Sequence, residues 1–99
     1  MPDPNFKERR EYDAAYLAHV RRLPCCICYD ETSVEAHHPR NVADDPNIRY
    51  VGLSTKASDR WAVPLCGRHH RELHAFGSER EFWASYGLDP YAIAMRIAP

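Results

Sequence analysis

The chain has 99 residues, of which 44% are hydrophobic and 27% charged, and its formal net charge is −1. This length predicts a single domain over residues 1–99, and 11% aromatic residues argue against a disordered chain. No apolar run approaches the roughly 18 to 20 residues of a membrane-spanning helix. Because the polar N-terminus also lacks a signal-peptide pattern, we expect a cytoplasmic protein without a membrane partner.

The first predicted element is a helix over about residues 6–23. Its apolar residues fall near one face at helical spacing, and basic residues occupy its last turn. Pro24 ends the helix, because the residue before a proline disfavours helical geometry. A tight turn between Cys25 and Cys28 follows.

The middle of the chain predicts a pair of strands and a helix. The first strand covers Ser33–His38 and the second covers Arg60–Leu65, antiparallel to the first. Between them, residues 39–58 contain proline, glycine and small polar residues and are predicted to form a loop. A loop this long is usually functional. A helix over about Gly67–His74 follows the second strand.

Two short helices are predicted between about residues 78 and 97. Ser78 and Glu81 form a capping box, which opens a helix that runs to Tyr86 and is closed by glycine. Asp89 is a good N-cap and is followed by proline at the first helical position, so it opens the last helix.

The clearest chemical signal is a pair of matched spacings, Cys25-x-x-Cys28 and Cys66-x-x-His69. Three sulfurs and one imidazole are the ligands of a closed tetrahedral zinc site. A domain this small has a marginal apolar core, to which a structural zinc could add on the order of 10 kcal/mol of folding free energy. Cys26 is out of register with both pairs and is predicted to be a small buried residue.

Four further histidines, His37, His38, His70 and His74, lie near the zinc motifs in the sequence. His70 and His74 are four residues apart, so they share a helix face and could bind one ion. His37 and His38 are neighbours on a predicted strand, where a bulge or bend is needed for both to approach one centre. A zinc-protease helix is excluded, because Arg71 stands where that motif needs glutamate.

These motifs resemble those of the HNH endonucleases, which have the ββα-metal fold. The resemblance covers about residues 23–97, and its C-terminal part is similar to small phage and prophage members, including the recombination enhancement function type. It implies an α+β fold with an N-terminal helix, a zinc-stapled HNH core over about residues 24–77, and two short C-terminal helices. The motifs that carry it are Cys25-x-x-Cys28, Ala36-His37-His38, Gly52, Lys56, Asp59, Val63-Pro64-Leu65-Cys66-x-x-His69-His70-x-x-x-His74, Phe82-Trp83 and Gly87-Leu88-Asp89-Pro90.

The resemblance also implies roles for individual residues. His38 would be the general base, and Asp59 would fill the central position of the motif and orient it, with Ser58 as an alternative. The implied ligands of a catalytic divalent ion are His37, His70 and His74. The implied products are 5′-phosphate and 3′-hydroxyl ends.

Elementary chemistry agrees with these roles. Phosphodiester hydrolysis needs an activated water, a charge clamp on the phosphate and stabilisation of the leaving oxygen. A neutral imidazole with a pKa of about 6.5 is a suitable base at neutral pH. Ligation by histidines favours Zn²⁺, Ni²⁺, Co²⁺ or Mn²⁺, while Mg²⁺ could serve in excess.

We therefore predict a metal-dependent DNA endonuclease that nicks single- or double-stranded DNA with low sequence specificity, because no separate base-reading module is visible. The first alternative is a non-catalytic zinc-knuckle module that binds nucleic acid or protein. Others are an RNA substrate, and cleavage only with a recombination-protein partner. The sequence does not predict an oligomeric state. Candidate contacts to the nucleic-acid backbone are Arg40, Lys56, Arg60, Arg68 and Arg71.

Overall fold

The fold is a mixed α+β arrangement, seen in a computed structural model that describes residues 12–40 and 58–99. Within these two ranges, the structure has four α-helices, one 3-10 turn and a two-stranded sheet. No helix of the described residues is both long enough and apolar enough to cross a bilayer. The elements are α1 (Ala14–Arg21), β1 (Val34–His37), β2 (Val63–Cys66), α2 (Gly67–Phe76), α3 (Glu79–Ser85) and α4 (Pro90–Ile97).

The first helix, α1, begins later than predicted. Asp13 is its N-cap, and the Asp13 carboxylate accepts a hydrogen bond from the backbone N–H of Tyr16 at 2.9 Å. This bond satisfies one of the donors that a helix start leaves open, so the chain enters the helix only at Ala14. The predicted start at residue 6 is therefore wrong for Tyr12 and Asp13, while residues 6–11 lie outside the described part of the chain.

The two strands pair antiparallel, as predicted, in a four-residue ladder. Val34 lies opposite Cys66 at one end, and His37 lies opposite Val63 at the other. β1 ends at His37, so His38 is not part of the strand. Its side chain therefore need not point to the opposite face of the sheet from that of His37.

The predicted second strand began too early. Residues Asp59–Trp61 form a 3-10 turn, in which the N–H of Ala62 donates to the carbonyl of Asp59 at 3.0 Å. The prediction of a strand from Arg60 is wrong, and β2 begins after Ala62. The turn matters for the site because it carries Asp59 into the interior. Most of the predicted loop, residues 41–57, lies outside the described residues.

The C-terminal helices start as the sequence predicted. The hydroxyl of Ser78 accepts a hydrogen bond from the N–H of Glu81 at 3.2 Å. The Asp89 carboxylate accepts from the N–H of Tyr91 at 3.0 Å, which caps α4. Gly87, with φ of 66°, follows α3 in the left-handed region that glycine adopts without strain.

The main core lies between β2 and the three C-terminal helices. Phe82 and Trp83 are nearly inaccessible to solvent, and Trp61 packs edge-to-face on Tyr91 with ring centroids 5.5 Å apart. A smaller cluster of Tyr16, Val20 and Ala62 packs α1 against the end of the 3-10 turn. The main core comprises Cys25, Val63, Leu65, Cys66, Leu73, Phe82, Trp83, Ile93 and Ala94.

Candidate metal centres

The four residues predicted to hold zinc converge where the turn after α1 meets the β2–α2 junction. Their ligand atoms all lie within 4.8 Å of one another. The sulfurs of Cys28 and Cys66 are 3.8 Å apart, and the Cys66 sulfur is 3.2 Å from Nδ1 of His69. A tetrahedral zinc with Zn–S bonds of about 2.3 Å would separate two sulfurs by about 3.8 Å. This zinc cluster (Cys25, Cys28, Cys66 and His69) could therefore hold a metal ion such as zinc.

Backbone N–H groups stabilise the zinc cluster's sulfurs as acceptors. The N–H of Ile27 donates to the Cys25 sulfur at 3.4 Å, and the N–H of His69 donates to the Cys66 sulfur at 3.5 Å. Burial raises the pKa of the Cys25 thiol, but the surrounding N–H donors outweigh burial and bring this pKa below its ordinary value. Cys26 does not belong to the cluster and packs against the core.

A second group of imidazoles lies on the other side of α2. We call His37, His70 and His74 the histidine cluster. The ring centroids of His70 and His74 are 4.7 Å apart, and that of His37 is 5.0 Å from His70. Burial, followed by repulsion from His70 and His37, lowers the pKa of His74. The cluster opens on a cavity of about 290 Å³ lined by Ala36, His37, His38, Arg40, His70, Leu73, His74 and Glu79.

Two rings of the histidine cluster form hydrogen bonds with carboxylates. Nε2 of His37 is 2.8 Å from Oε2 of Glu79, and Nδ1 of His70 is 2.5 Å from Oε1 of Glu35. An ionised carboxylate only accepts hydrogen bonds, so each of these ring nitrogens carries a proton. In the neutral rings, the basic lone pairs are therefore on Nδ1 of His37 and Nε2 of His70.

These two basic nitrogens face each other at 3.1 Å. Two lone pairs at this distance repel unless a cation or a shared proton lies between them. Two imidazole ligands on one ion, with metal–nitrogen bonds of about 2.0 to 2.1 Å, would be about 3.0 Å apart at a right angle and about 3.4 Å apart in a tetrahedron. The observed separation lies in this range. Among the described residues, however, the zinc cluster is the one group of three or more such side chains whose ligand atoms lie close enough together to hold an ion.

His38 also has a carboxylate partner. Its Nε2 is 2.8 Å from Oδ1 of Asp59, which is 2% exposed. The other Asp59 oxygen accepts from the backbone N–H of Asp13 at 2.6 Å, which ties this pair to the start of α1. Asp59, one of the two candidates for the central position, thus contacts the imidazole. Because His38 follows the end of β1, it lines the same cavity as His37 without a bulge in the strand.

The predicted backbone-binding residues do not gather at one place. Arg40 lines the cavity, whereas Arg68 and Arg71 line a separate depression beside the start of α2. The guanidinium of Arg60 lies 4.8 Å from the centre of the Trp61 ring. Lys56 lies outside the described residues.

Sequence reasoning missed Glu35 and Glu79. For each of these glutamates, its spacing from a neighbouring residue was a weak signal of its position. Glu35 is two residues before His37, so the two share a face of β1. Glu79 is four residues before Trp83, so these two share a face of α3.

The chain belongs to the DUF968 family, described as a protein of unknown function, which it matches over residues 2–98. It is 34% identical over 68 residues to the Uncharacterized protein YdfU of Escherichia coli (strain K12), and this stretch is 69% of the chain and 18% of that protein. The chain thus spans less than a fifth of that relative's length. No solved structure matches it.

Proposed function

We propose that this chain is a metal-dependent DNA endonuclease with an HNH-type, ββα-metal core. The observation that carries the proposal is the opposed pair of basic nitrogens of His37 and His70. These two residues line the same cavity as His38, whose Nε2 contacts the buried Asp59. The first pair suits a divalent cation and the second suits a proton acceptor. Phosphodiester hydrolysis requires both at one place.

The histidine cluster would hold the catalytic cation through His37, His70 and His74. Imidazole nitrogens favour Zn²⁺, Co²⁺, Ni²⁺ or Mn²⁺, and Mg²⁺ could serve in excess. When bound, such a cation supplies stabilisation of the negative charge that develops on the phosphate and on the leaving oxygen.

His38 would act as the general base. Because Asp59 accepts the Nε2 proton, the basic lone pair of the ring is on Nδ1. Nδ1 would take the proton of the attacking water, and the Asp59 carboxylate would stabilise the imidazolium that forms. The hydrogen bond from Asp13 fixes the carboxylate and hence the ring orientation.

Arg40 would attract the scissile strand. It lines both the cavity and an adjoining depression beside the α2–α3 turn. A guanidinium binds phosphate irrespective of base identity, which supports nicking with low sequence specificity on single- or double-stranded DNA.

A second candidate function is non-catalytic binding of nucleic acid. The observation that favours it is the depression beside the zinc cluster, where Arg68 and Arg71 lie next to Cys66 and Gly67. Such a module needs only one ion per chain, whereas the endonuclease needs a second, weaker one.

The test is cleavage of plasmid and single-stranded DNA by the zinc-loaded protein across Mg²⁺, Mn²⁺, Co²⁺, Ni²⁺ and Zn²⁺. We expect His38→Ala to keep its zinc and its fold and to lose about 10² to 10⁴-fold in cleavage rate, as when a general base is removed. The matched control is His19→Ala, because His19 lies away from the cavity and bonds the carbonyl of Ile97 at 2.9 Å. Full cleavage by His38→Ala would reject its role as base. A wild-type protein that binds DNA, takes up only one ion and fails to cleave DNA with any of these metals would favour the binding module.

A further inference from the structure

We propose that Glu79 is a positioning residue, which holds the His37 ring in the tautomer and orientation needed to bind the catalytic cation. The inference rests on the proposed function and adds to it a residue from α3, outside the β1–β2–α2 unit. The evidence is that one oxygen of Glu79 contacts two side chains. Oε2 of Glu79 lies 2.8 Å from Nε2 of His37 and 3.0 Å from Nε1 of Trp83.

Trp83 fixes the carboxylate from the core side. An indole N–H can only donate, so Oε2 of Glu79 is the acceptor in this hydrogen bond. The Trp83 side chain is 2% exposed and belongs to the main core, and it follows Glu79 by one turn of α3. The hydrogen bond from Trp83 therefore anchors the Glu79 carboxylate to the main core.

The anchored carboxylate determines which nitrogen of His37 is available. It accepts the proton of Nε2 and leaves the lone pair on Nδ1, which faces His70 at 3.1 Å. A carboxylate behind a ligating histidine fixes the ring and makes its lone pair more basic. Without Glu79, the His37 ring could rotate or adopt the other tautomer.

The Glu35 carboxylate offers an internal comparison. It bonds Nδ1 of His70 in the same way, but its side chain is 54% exposed, against 12% for Glu79. Water screens an exposed carboxylate and competes for its hydrogen bond. The structure thus predicts a larger effect from the loss of Glu79 than from the loss of Glu35.

The experiment measures Co²⁺ binding calorimetrically in protein whose zinc cluster is already filled. We expect Glu79→Ala to bind the second ion about 10 to 100-fold more weakly, the usual loss when such a partner of a metal ligand is removed. Glu79→Gln should lose less, because its amide oxygen can still accept both N–H groups but carries no charge. The matched control is Glu81→Gln, an exposed glutamate on the same helix, which should bind Co²⁺ like the wild type.

A second readout is the ¹⁵N NMR spectrum of the His37 ring before Co²⁺ is added. The wild type should show the Nε2–H tautomer, and Glu79→Ala should show a mixture. Unchanged Co²⁺ affinity together with an unchanged tautomer would overturn the role of Glu79. If Glu79→Ala does not retain its zinc and helical circular dichroism, Glu79→Met decides instead, because it keeps the length of the side chain and removes the carboxylate, and wild-type affinity in that variant would overturn the role as well. A wild-type protein that takes no Co²⁺ beyond its filled zinc cluster would overturn the proposed function itself.

Discussion

Cys66 and His37 lie at opposite ends of the same antiparallel ladder, where they pair with Val34 and Val63. Three residue steps separate the two ends, or about 10 Å along a strand. The zinc cluster and the histidine cluster are therefore joined through β1, β2 and α2. We expect the loss of the zinc cluster to disrupt the histidine cluster, but not the reverse.

Removal of a zinc ligand should unfold the protein. We expect Cys66→Ala to lose its zinc and its cooperative thermal transition, because a structural zinc contributes on the order of 10 kcal/mol, which is comparable to the whole stability of a small domain. Zinc content and circular dichroism measure both effects. The control is Cys26→Ala, which removes a neighbouring thiol outside the cluster and should keep one zinc per chain. A folded Cys66→Ala protein without zinc would contradict the structural role.

The histidine cluster should be removable without unfolding. We expect His74→Ala to keep one zinc and the wild-type circular dichroism, and to lose the second ion and DNA cleavage, because the ring lies on the exposed side of α2. A mild chelator should do the same to the wild type, and added Mn²⁺ or Co²⁺ should restore cleavage. Metal analysis of the two samples is the measurement. A His74→Ala protein that binds both ions normally would remove this residue from the ligand set.

Asp59→Asn should impair catalysis while the second ion still binds. An asparagine that keeps its oxygen on the N–H of Asp13 turns its NH₂ group toward His38, and this selects the wrong tautomer of that ring. In a comparable histidine–aspartate pair this change lowers kcat by about 10⁴. We expect a loss of at least about 10²-fold in kcat. Ser58→Ala is the matched control and should cleave normally, whereas a larger loss in Ser58→Ala would reverse the assignment of the central position.

Tyr16→Phe should leave the protein as stable as the wild type or more stable. The Tyr16 hydroxyl is buried and has no hydrogen-bond partner among the described residues. A buried polar group without a partner costs about 1 to 3 kcal/mol, so its removal should raise the free energy of unfolding by up to that amount. The control is Tyr91→Phe, which loses a hydrogen bond to the Pro39 carbonyl and should not gain stability. Urea denaturation compares the variants, and a clear loss in Tyr16→Phe would show that this hydroxyl has a partner.

The zinc cluster could be predicted because each pair of its ligands is close in the sequence. Each pair of ligands is three positions apart, and a tight turn alone brings the two side chains together. The helix caps at Ser78 and Asp89 also depend only on neighbouring residues, and both predictions are confirmed.

The carboxylates behind the histidine cluster could not be predicted in the same way. The contact between His37 and Glu79 spans 42 residues and exists only because α3 packs beside α2. The early strand start was wrong for a related reason. Residues 60–62 have strand-like composition, but burial of Asp59 against His38 and Asp13 favours a turn there.

His69 and His70 are adjacent on α2 and serve different clusters. The side chains of consecutive helical residues point in directions about 100° apart around the helix axis. The step from His69 to His70 therefore determines the angle between the two clusters. One inserted or deleted residue in this turn would swing every later side chain of α2 away from its partners. Natural variants that keep both clusters should therefore vary in length within residues 41–57 or after α3, and not within the first turn of α2.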